Sequence, residues 1–214
     1  MTQSKQTEIG KVSKPRFEFR SFGQDFLIQH KRMARLSIPV PEAIWERESD
    51  EIYIMSKKNN INNTKIRDGK IDIKTHIKTV DGLEQWNPLI KSVFPLSKEI
   101  LEQEIIPAFM VEFPSLTKQT YTYNEFILLI KDHPDLAIVK VHKQRFGYMV
   151  NNTICEVANI LINGAKLISI NIESTDIKEI KKTISEIGLN NIENINYLQA
   201  IKRVIGMIDK PFSN

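Results

Sequence analysis

A tight turn inside a strongly alternating stretch constrains this chain more than any other sequence feature. Residues 64–76 read TKIRDGKIDIKTH, and Asp68-Gly69 at their centre is a strong signal for a β-hairpin, because both residue types tolerate positive φ. A two-residue loop fixes the strand pairing, so Arg67 lies opposite Lys70. The sequence therefore predicts an antiparallel hairpin of known register.

The two faces of this predicted hairpin differ sharply in charge, because directly opposed residues share a face. The charged face holds Lys65, Arg67, Lys70, Asp72 and Lys74, and the apolar face holds Ile66, Ile71 and Ile73. Two interpretations stay open. The charged face either meets water, which the pattern alone favours, or it cradles phosphate oxygens, which arginine forks and lysine ammonium groups bind well.

The rest of the chain predicts further strands, with helices at intervals and at the end. Strand signals cover residues 16–20, 50–56, 82–96, 136–150, 153–163 and 166–174. Helix signals cover residues 24–36, 97–105, 122–133, 175–189 and 194–207. Strands joined mostly by hairpins indicate an α+β fold with an antiparallel sheet that is able to close into a barrel.

Domain organisation and location follow from simple features. Residues 1–14 are polar and show no periodicity, which predicts a flexible tail before a single domain over residues 15–214. No apolar run approaches the roughly 20 residues of a membrane span, and the N-terminus lacks the apolar segment of a secretory signal. We therefore expect a cytoplasmic protein with no membrane partner. The single cysteine, Cys155, excludes an internal disulfide and a cysteine-based zinc site.

Charge and motifs narrow the chemistry. The net charge of +4 is a mild bias toward polyanionic partners. Neither a P-loop nor a dinucleotide-binding fingerprint is present, and the four histidines show no zinc spacing and no nucleophile–base arrangement. A second basic pair, Lys143 and Arg145, shares one face of a predicted strand. Glutamates on predicted strands, Glu18, Glu156 and Glu173, are either oxygen ligands for Mg²⁺ or Mn²⁺ or ordinary surface residues.

In their order along residues 15–207, these segments resemble the CYTH superfamily, the triphosphate tunnel enzymes that include class IV adenylate cyclases and thiamine triphosphatases. Its basic pair, turn and lysine-ended strand match Lys65-Ile66-Arg67, Asp68-Gly69 and Lys74. Its later motifs match Lys143, Arg145 and Tyr148 on one strand, Glu156 on the next, the turn at Asn163-Gly164, and the strand that carries Glu173.

Two strands depart from the family pattern. The first strand of the family has E-x-E-x-K, where this chain has Arg16, Glu18 and Arg20. The late E-x-E motif is represented by Asn171 and Glu173, so one acid is missing from each motif. An anion-binding tunnel tolerates these changes better than a metal site does.

The resemblance implies an eight-stranded antiparallel closed β-barrel, a triphosphate tunnel, with flanking and C-terminal helices. The residues that it implies for phosphate binding are Lys65, Arg67, Lys74, Lys143, Arg145 and Arg20. For Mg²⁺ or Mn²⁺ it implies Glu18, Glu173 and, less directly, Glu156. The partner it implies is a small-molecule triphosphate or polyphosphate.

Three functional hypotheses follow. The first is a metal-dependent phosphohydrolase that acts on an inorganic or organic triphosphate in the basic tunnel. The second is a non-catalytic module of the same fold that binds nucleotide or polyphosphate. The third, outside the resemblance, is a basic RNA-binding β-protein, although the chain lacks a strand motif of interleaved aromatic and basic residues. The particular triphosphate and the oligomeric state stay open.

Overall fold

The computed structural model describes residues 15–212, and a closed barrel of eight antiparallel strands dominates them. The barrel strands are β1 (Arg16–Gly23), β2 (Glu46–Ser56), β3 (Asn62–Arg67), β4 (Lys70–Val80), β5 (Leu83–Val93), β8 (Leu136–Val150), β9 (Thr153–Ile162) and β10 (Ala165–Ser174). A separate short pair is formed by β6 (Leu96–Ser97) and β7 (Thr120–Tyr121). Around the barrel the order is β1-β10-β9-β8-β2-β3-β4-β5, and β5 returns to β1. The predicted α+β fold with a closed antiparallel barrel is confirmed, and the predicted tail at residues 1–14 lies outside the described residues.

Helices pack around the barrel and at one of its ends. They are α1 (Leu27–Leu36), α2 (Glu42–Trp45), α3 (Lys98–Ile100), a π-helical stretch (Leu101–Ile105), α4 (Ile106–Ala108), α5 (Tyr123–Lys131), α6 (Ile177–Ile187) and α7 (Tyr197–Val204). Thr122 and Glu125 form a capping box at the start of α5. Within residues 15–212, no helix combines the length and apolar character that a membrane crossing requires.

The hairpin between β3 and β4 has the predicted turn. Asp68 and Gly69 have φ values of 51° and 67°, which is the left-handed region that such a two-residue turn requires. Arg67 pairs with Lys70, and the whole ladder keeps the predicted register. The side chains of the hairpin are therefore sorted onto two faces as the sequence indicates.

Two apolar layers cover the outside of the barrel. One lies under α1 and α6 and includes Phe17, Phe19, Met33, Ile180 and Ile187. The other joins the outer face of the β3–β4 hairpin to the stretch from α3 to α5, and Ile71 and Ile73 are fully buried in it. Burial of this kind is the main favourable term for folding, so the outer isoleucines stabilise the helix layer on the barrel wall.

A third apolar layer fills one half of the barrel interior, and α7 enters it. On β1 the inward-facing residues change from Glu18 and Arg20 to Phe22, and on β8 they change from Lys143 to Val139. Leu198, Ala200 and Ile201 of α7 pack against this apolar half together with Tyr197. The helix therefore closes one end of the barrel, and the polar half forms a blind lumen.

The differences from the predicted elements are local. The strand predicted over residues 82–96 ends at Val93, and the helix predicted over 97–105 continues through a π-helical stretch to Ala108. Helix α2 and the β6–β7 pair were not predicted. Each is only two to four residues long, too short to show the periodicity on which sequence prediction rests.

Candidate functional site

The polar half of the barrel interior encloses a cavity of about 180 Å³. The acidic side chains that line it are Glu18, Glu51, Asp72, Glu156 and Glu173. The cationic side chains that line it are Arg20, Lys65, Lys74, Lys143 and Arg145. Five of the six predicted phosphate-binding residues and all three predicted metal ligands therefore line one cavity, although they come from six strands.

Three residues from the charged face of the β3–β4 hairpin, Lys65, Asp72 and Lys74, line this lumen. Lys65 lines the cavity, with its Nζ 4.0 Å from the Asp72 carboxylate across the hairpin. The isoleucines of the opposite face are buried under the outer helices. Lys70, next to the turn, is exposed and lies outside the cavity lining, so each of the two interpretations left open by the pattern describes part of this face.

Glu51 of β2 organises the cations at the inner wall. Its carboxylate is fully buried and lies 2.7 Å from Lys143 Nζ, 3.1 Å from Arg67 Nη1 and 3.8 Å from Lys65 Nζ. It also accepts a hydrogen bond of 2.9 Å from the Tyr53 hydroxyl. Burial acts to raise the pKa of Glu51, but the lysines outweigh it and the pKa falls well below its usual range. Glu51 is therefore a fixed negative charge beneath the basic wall.

The two lysines beside Glu51 are held in an unusual state. Burial lowers the pKa of Lys143 and of Lys65 to about 8 in each case, although Glu51 acts in the opposite direction. Both lysines are consequently still charged at neutral pH, but only narrowly. A further negative charge in the lumen would stabilise their protonated forms.

An aromatic pair forms the floor of the lumen. Tyr53 of β2 and Tyr197 of α7 stack with their ring centroids 5.4 Å apart. Lys143 Nζ lies 3.8 Å from the Tyr197 ring centroid, and the Arg20 guanidinium carbon lies 4.8 Å from it. The first residue of the plug helix α7 thus meets two of the lumen cations directly.

Arg20 of β1 lies at the centre of the acidic side of the lumen. Its Nε donates to Glu18 at 2.7 Å, and its two terminal nitrogens lie 3.9 Å from Glu156 and 4.0 Å from Glu173. Burial opposes a charge on Arg20, but Glu18, then Tyr197 and Glu156, raise its pKa further above an already high value. The guanidinium is buried, and it stays charged at any physiological pH.

The three carboxylates around Arg20 are not equivalent. Burial raises the pKa of Glu173, and the nearby negative charge of Glu18 adds to this effect. Burial acts the same way on Glu18, but its charge pairing and hydrogen bond with Arg20 prevail and lower its pKa. Arg20 therefore pairs most strongly with the carboxylate of its own strand.

Two other predicted phosphate-binding residues occupy the rim. Lys74 of β4 is exposed and also borders a small side cavity of about 50 Å³ beside Glu18 and Glu173. Arg145 of β8 donates from Nη2 to the Ser49 hydroxyl at 3.1 Å. Within residues 15–212, the buried Nε of Arg145 and the buried Nη1 of Arg20 have no hydrogen-bond acceptor. Buried N–H donors of this kind are costly to leave unpaired, and an anion satisfies them well.

The remaining predicted residue, Arg67, lies apart from the cavity lining. It contacts Glu51 and borders a wide groove of about 920 Å³ that also includes outward-facing residues such as Ile66, Leu161 and Tyr123. Arg67 therefore supports the lumen through Glu51. Its role in phosphate binding stays a prediction.

Several lumen residues were not singled out from the sequence, and Glu51, Tyr53 and Tyr197 are the most important. Glu51 and Tyr53 lie in the strand predicted over residues 50–56, and their period of two places them on one face together with Met55. That alternation was a usable signal. Tyr197 matches the residue that opens the last helix in the family pattern, but its place in the lumen was not predicted, because that place depends on α7 entering the barrel.

The lumen carboxylates are the residues that the family resemblance implies for Mg²⁺ or Mn²⁺. Glu18 and Glu173 are direct register partners on β1 and β10, and Glu156 lies on the next strand. Each of the three carboxylates is nevertheless within 4.0 Å of a guanidinium. In the part of the chain that the structure describes, no group of three or more His, Cys, Asp or Glu side chains is arranged to hold a metal ion. As they lie, these residues do not fit a divalent cation, and their metal role stays a prediction.

Comparison with known proteins gives similarities of chain path. No family model and no curated protein matches this chain at a significant level. A candidate adenylate cyclase from Bacillus halodurans matches with 12% identity and a TM-score of 0.48, over 88% of this chain and 98% of that one. A candidate adenylyl cyclase from Hippeastrum, described as having a dominant triphosphatase activity, matches with 9% identity and a TM-score of 0.47, over 90% and 97%. A Pyrococcus horikoshii protein matches with 14% identity and a TM-score of 0.46, over 85% and 94%.

Proposed function

We propose that this chain binds the triphosphate group of a small molecule, or a short inorganic polyphosphate, in the blind lumen of its barrel. The observation that carries the proposal is the pair of buried arginine nitrogens, on Arg20 and Arg145, that line a cavity with three lysines and have no acceptor within residues 15–212. Arginine offers a fork to phosphate oxygens, and lysine offers a compact charge with three donors. Together they suit an oligoanion with several oxygens.

The balance of charge favours a ligand with more than one negative charge. The cavity-lining cations are matched in number by acids, but Arg16, Arg47 and Arg67 add further positive charge through contacts with Glu173, Glu156 and Glu51 respectively. Those three arginines leave the lumen and its rim with surplus positive charge. A triphosphate group compensates such a surplus, whereas a single carboxylate does not.

The shape of the lumen favours the end of a phosphate chain over an extended nucleic acid. Tyr197 and the helix behind it close one end, so a ligand enters and leaves through the same opening. Proteins that bind single-stranded nucleic acid use an open basic groove with aromatic stacking platforms. Here the clustered cations lie inside the barrel, which supports a small-molecule ligand and argues against the RNA-binding hypothesis.

A second function, hydrolysis of the bound triphosphate with Mg²⁺ or Mn²⁺, is favoured by the gathering of Glu18, Glu156 and Glu173 on one wall. These carboxylates are the residue type that such a cation prefers. In this function the arginines around them would have to release those oxygens. We propose a cytoplasmic location and a single domain over residues 15–214 for either function.

Calorimetry with tripolyphosphate, ATP and thiamine triphosphate tests the binding proposal, and phosphate release from the same compounds tests hydrolysis. We expect binding of at least one compound, and we expect Lys143→Met and Lys74→Ala to weaken it. Turnover that requires Mg²⁺ or Mn²⁺ and is lost in Lys74→Ala would establish the enzyme. Absence of binding to all three, together with salt-sensitive RNA binding, would overturn the lumen proposal.

The matched control is Lys140→Ala. Lys140 lies on the same strand as Lys143 but is exposed and, by strand alternation, projects from the outer face. Lys140→Ala removes one positive charge from the molecule, as the two lumen variants do, without changing the lumen. If Lys140→Ala weakened ligand binding as much as Lys143→Met and Lys74→Ala do, the effect would come from the overall charge and not from a site in the lumen.

A further inference from the structure

We infer that Arg20 takes the place of a divalent cation in this lumen, so that the triphosphate group is bound without a metal ion. Three nitrogens of one guanidinium address three carboxylates from three neighbouring strands. Nε pairs with Glu18 at 2.7 Å, Nη1 approaches Glu156 at 3.9 Å, and Nη2 approaches Glu173 at 4.0 Å. A metal ion bound by several carboxylates occupies the same kind of central position.

Two more arginines complete this arrangement from the rim. Arg16 lies 3.6 Å from Glu173, and Arg47 donates to Glu156 at 3.1 Å. All three carboxylates are therefore already neutralised by side chains of this chain. A divalent cation would need their oxygens at about 2.0–2.6 Å and would lie against a buried positive charge.

Arg20 also keeps a donor for a ligand. Its Nη1 is buried at the cavity wall and makes no hydrogen bond with any residue in the range 15–212. A metal ion in a phosphate site bridges protein carboxylates and phosphate oxygens. Arg20 hydrogen-bonds Glu18 through Nε and approaches the other two carboxylates through its terminal nitrogens, and an N–H of Nη1 is still available to a phosphate oxygen. It therefore makes the same bridge.

This inference rests on the proposed triphosphate binding, but its central test does not. The probe is Mn²⁺ alone, measured by electron paramagnetic resonance and by thermal unfolding, for the wild-type chain and for Arg20→Gln. We expect the wild type to bind no Mn²⁺ at millimolar concentration. Arg20→Gln leaves three partly buried carboxylates without their shared cation, so this variant should be destabilised and then restabilised by Mn²⁺, with a rise of several degrees in Tm.

A double variant and a matched control make the test specific. Arg20→Gln combined with Glu18→Gln should lose most of the Mn²⁺ response, because one ligand is gone. Arg203→Gln removes another buried arginine, one that pairs with Glu193 and does not line the lumen. It should lower Tm with no response to Mn²⁺. A Tm measurement keeps the test informative even where a variant is only marginally folded.

Tripolyphosphate binding supplies the second arm. We expect the wild type to bind tripolyphosphate with the same affinity, within a factor of two or so, in EDTA and in excess Mg²⁺ corrected for the complexed anion. Mn²⁺ binding by the wild type that is lost in Glu173→Gln, or no gain of Mn²⁺ binding in Arg20→Gln, would overturn the inference. Failure to bind tripolyphosphate under both conditions would instead overturn the proposed function and leave the Mn²⁺ result standing.

Discussion

Lys143 and Tyr197 join the wall of the barrel to the helix that closes it. The Nζ of Lys143 lies 3.8 Å from the Tyr197 ring centroid and also donates to the Tyr53 hydroxyl at 2.7 Å. A lumen cation therefore lies directly on the first residue of α7. The same contact therefore helps to hold the closing helix in place and fixes the position of a positive charge in the lumen.

Replacement of Tyr197 tests this relationship. Tyr197→Ala should lower the free energy of unfolding by about 3–5 kcal/mol, because it removes a buried ring that packs on Tyr53 and Phe22. Tyr197→Phe keeps the ring and should cost far less. Urea unfolding measures both, and Tyr123→Ala, a partly exposed tyrosine on α5, is the control. Equal losses for Tyr197→Ala and Tyr197→Phe would show that the hydroxyl, not the ring, carries the contact.

The strands were predictable because most are long and their turns are chemically marked, whereas the eight-stranded closed barrel was implied by the family resemblance. The pair at Asp68-Gly69 fixes a register by local geometry alone, and that register was correct to the residue. Which face of the hairpin is the inside was not decided by the pattern. Both faces are protected in the folded chain, one by helices and one by barrel closure, and closure depends on contacts between strands far apart in sequence.

The ion pairs of the lumen were less predictable than its composition. Arg20 was predicted to bind phosphate, and its position among three carboxylates depends on the β1–β10 and β9–β10 registers together. Glu51 belongs to no recognisable motif, and its importance for the site comes from its burial among three cations. Charge partners chosen by long-range pairing leave no periodic trace in the sequence.

Neutralisation of Glu51 should separate stability from ligand binding. Glu51→Gln leaves Lys143, Lys65 and Arg67 without their shared counter-charge, so the ligand-free protein should lose about 3–5 kcal/mol of stability. A bound oligophosphate then supplies the missing negative charge. Thermal unfolding with and without tripolyphosphate should therefore show a larger ligand-induced rise in Tm for Glu51→Gln than for the wild type.

The opposite result for Glu51→Gln has a clear meaning. A smaller rise in Tm than in the wild type would show that Glu51 orients the cations for the ligand instead of competing with it. Glu48→Gln on the same strand is a suitable control, because Glu48 is exposed and pairs in register with Gln144. It should leave both Tm values close to those of the wild type.

Lys202 of α7 provides a separate test of how the plug helix is held. Its buried Nζ donates to the Asn59 carbonyl at 2.7 Å, to Asn60 Oδ1 at 2.8 Å and to the Lys57 carbonyl at 3.3 Å. Lys202→Met should cost about 1–3 kcal/mol, because these acceptors lose their donor. Hydrogen exchange should also become faster in the β2–β3 connection, whereas Lys182→Met, exposed on α6, should change neither quantity.

The pH dependence of binding follows from Lys65 and Lys143, whose pKa values are lowered to about 8 by burial. Below pH 8 both lysines are charged with or without ligand, so the affinity for tripolyphosphate should be nearly constant. Above pH 8 the two lysines lose these protons in the free protein, whereas in the complex the bound anion keeps the lysines protonated. The affinity should then fall with rising pH, by up to about tenfold per pH unit for each lysine.

The same pKa values predict that stability changes with pH in the direction opposite to the affinity. Between pH 8 and the ordinary lysine value of 10.5, the unfolded chain holds more protons on these two residues than the folded one. Their contribution to the stability of the ligand-free protein therefore rises with pH in this window. Calorimetry and urea unfolding across it measure the two trends. Lys65→Arg, with a charge that does not titrate here, should weaken both, and unchanged trends in that variant would assign them to other groups.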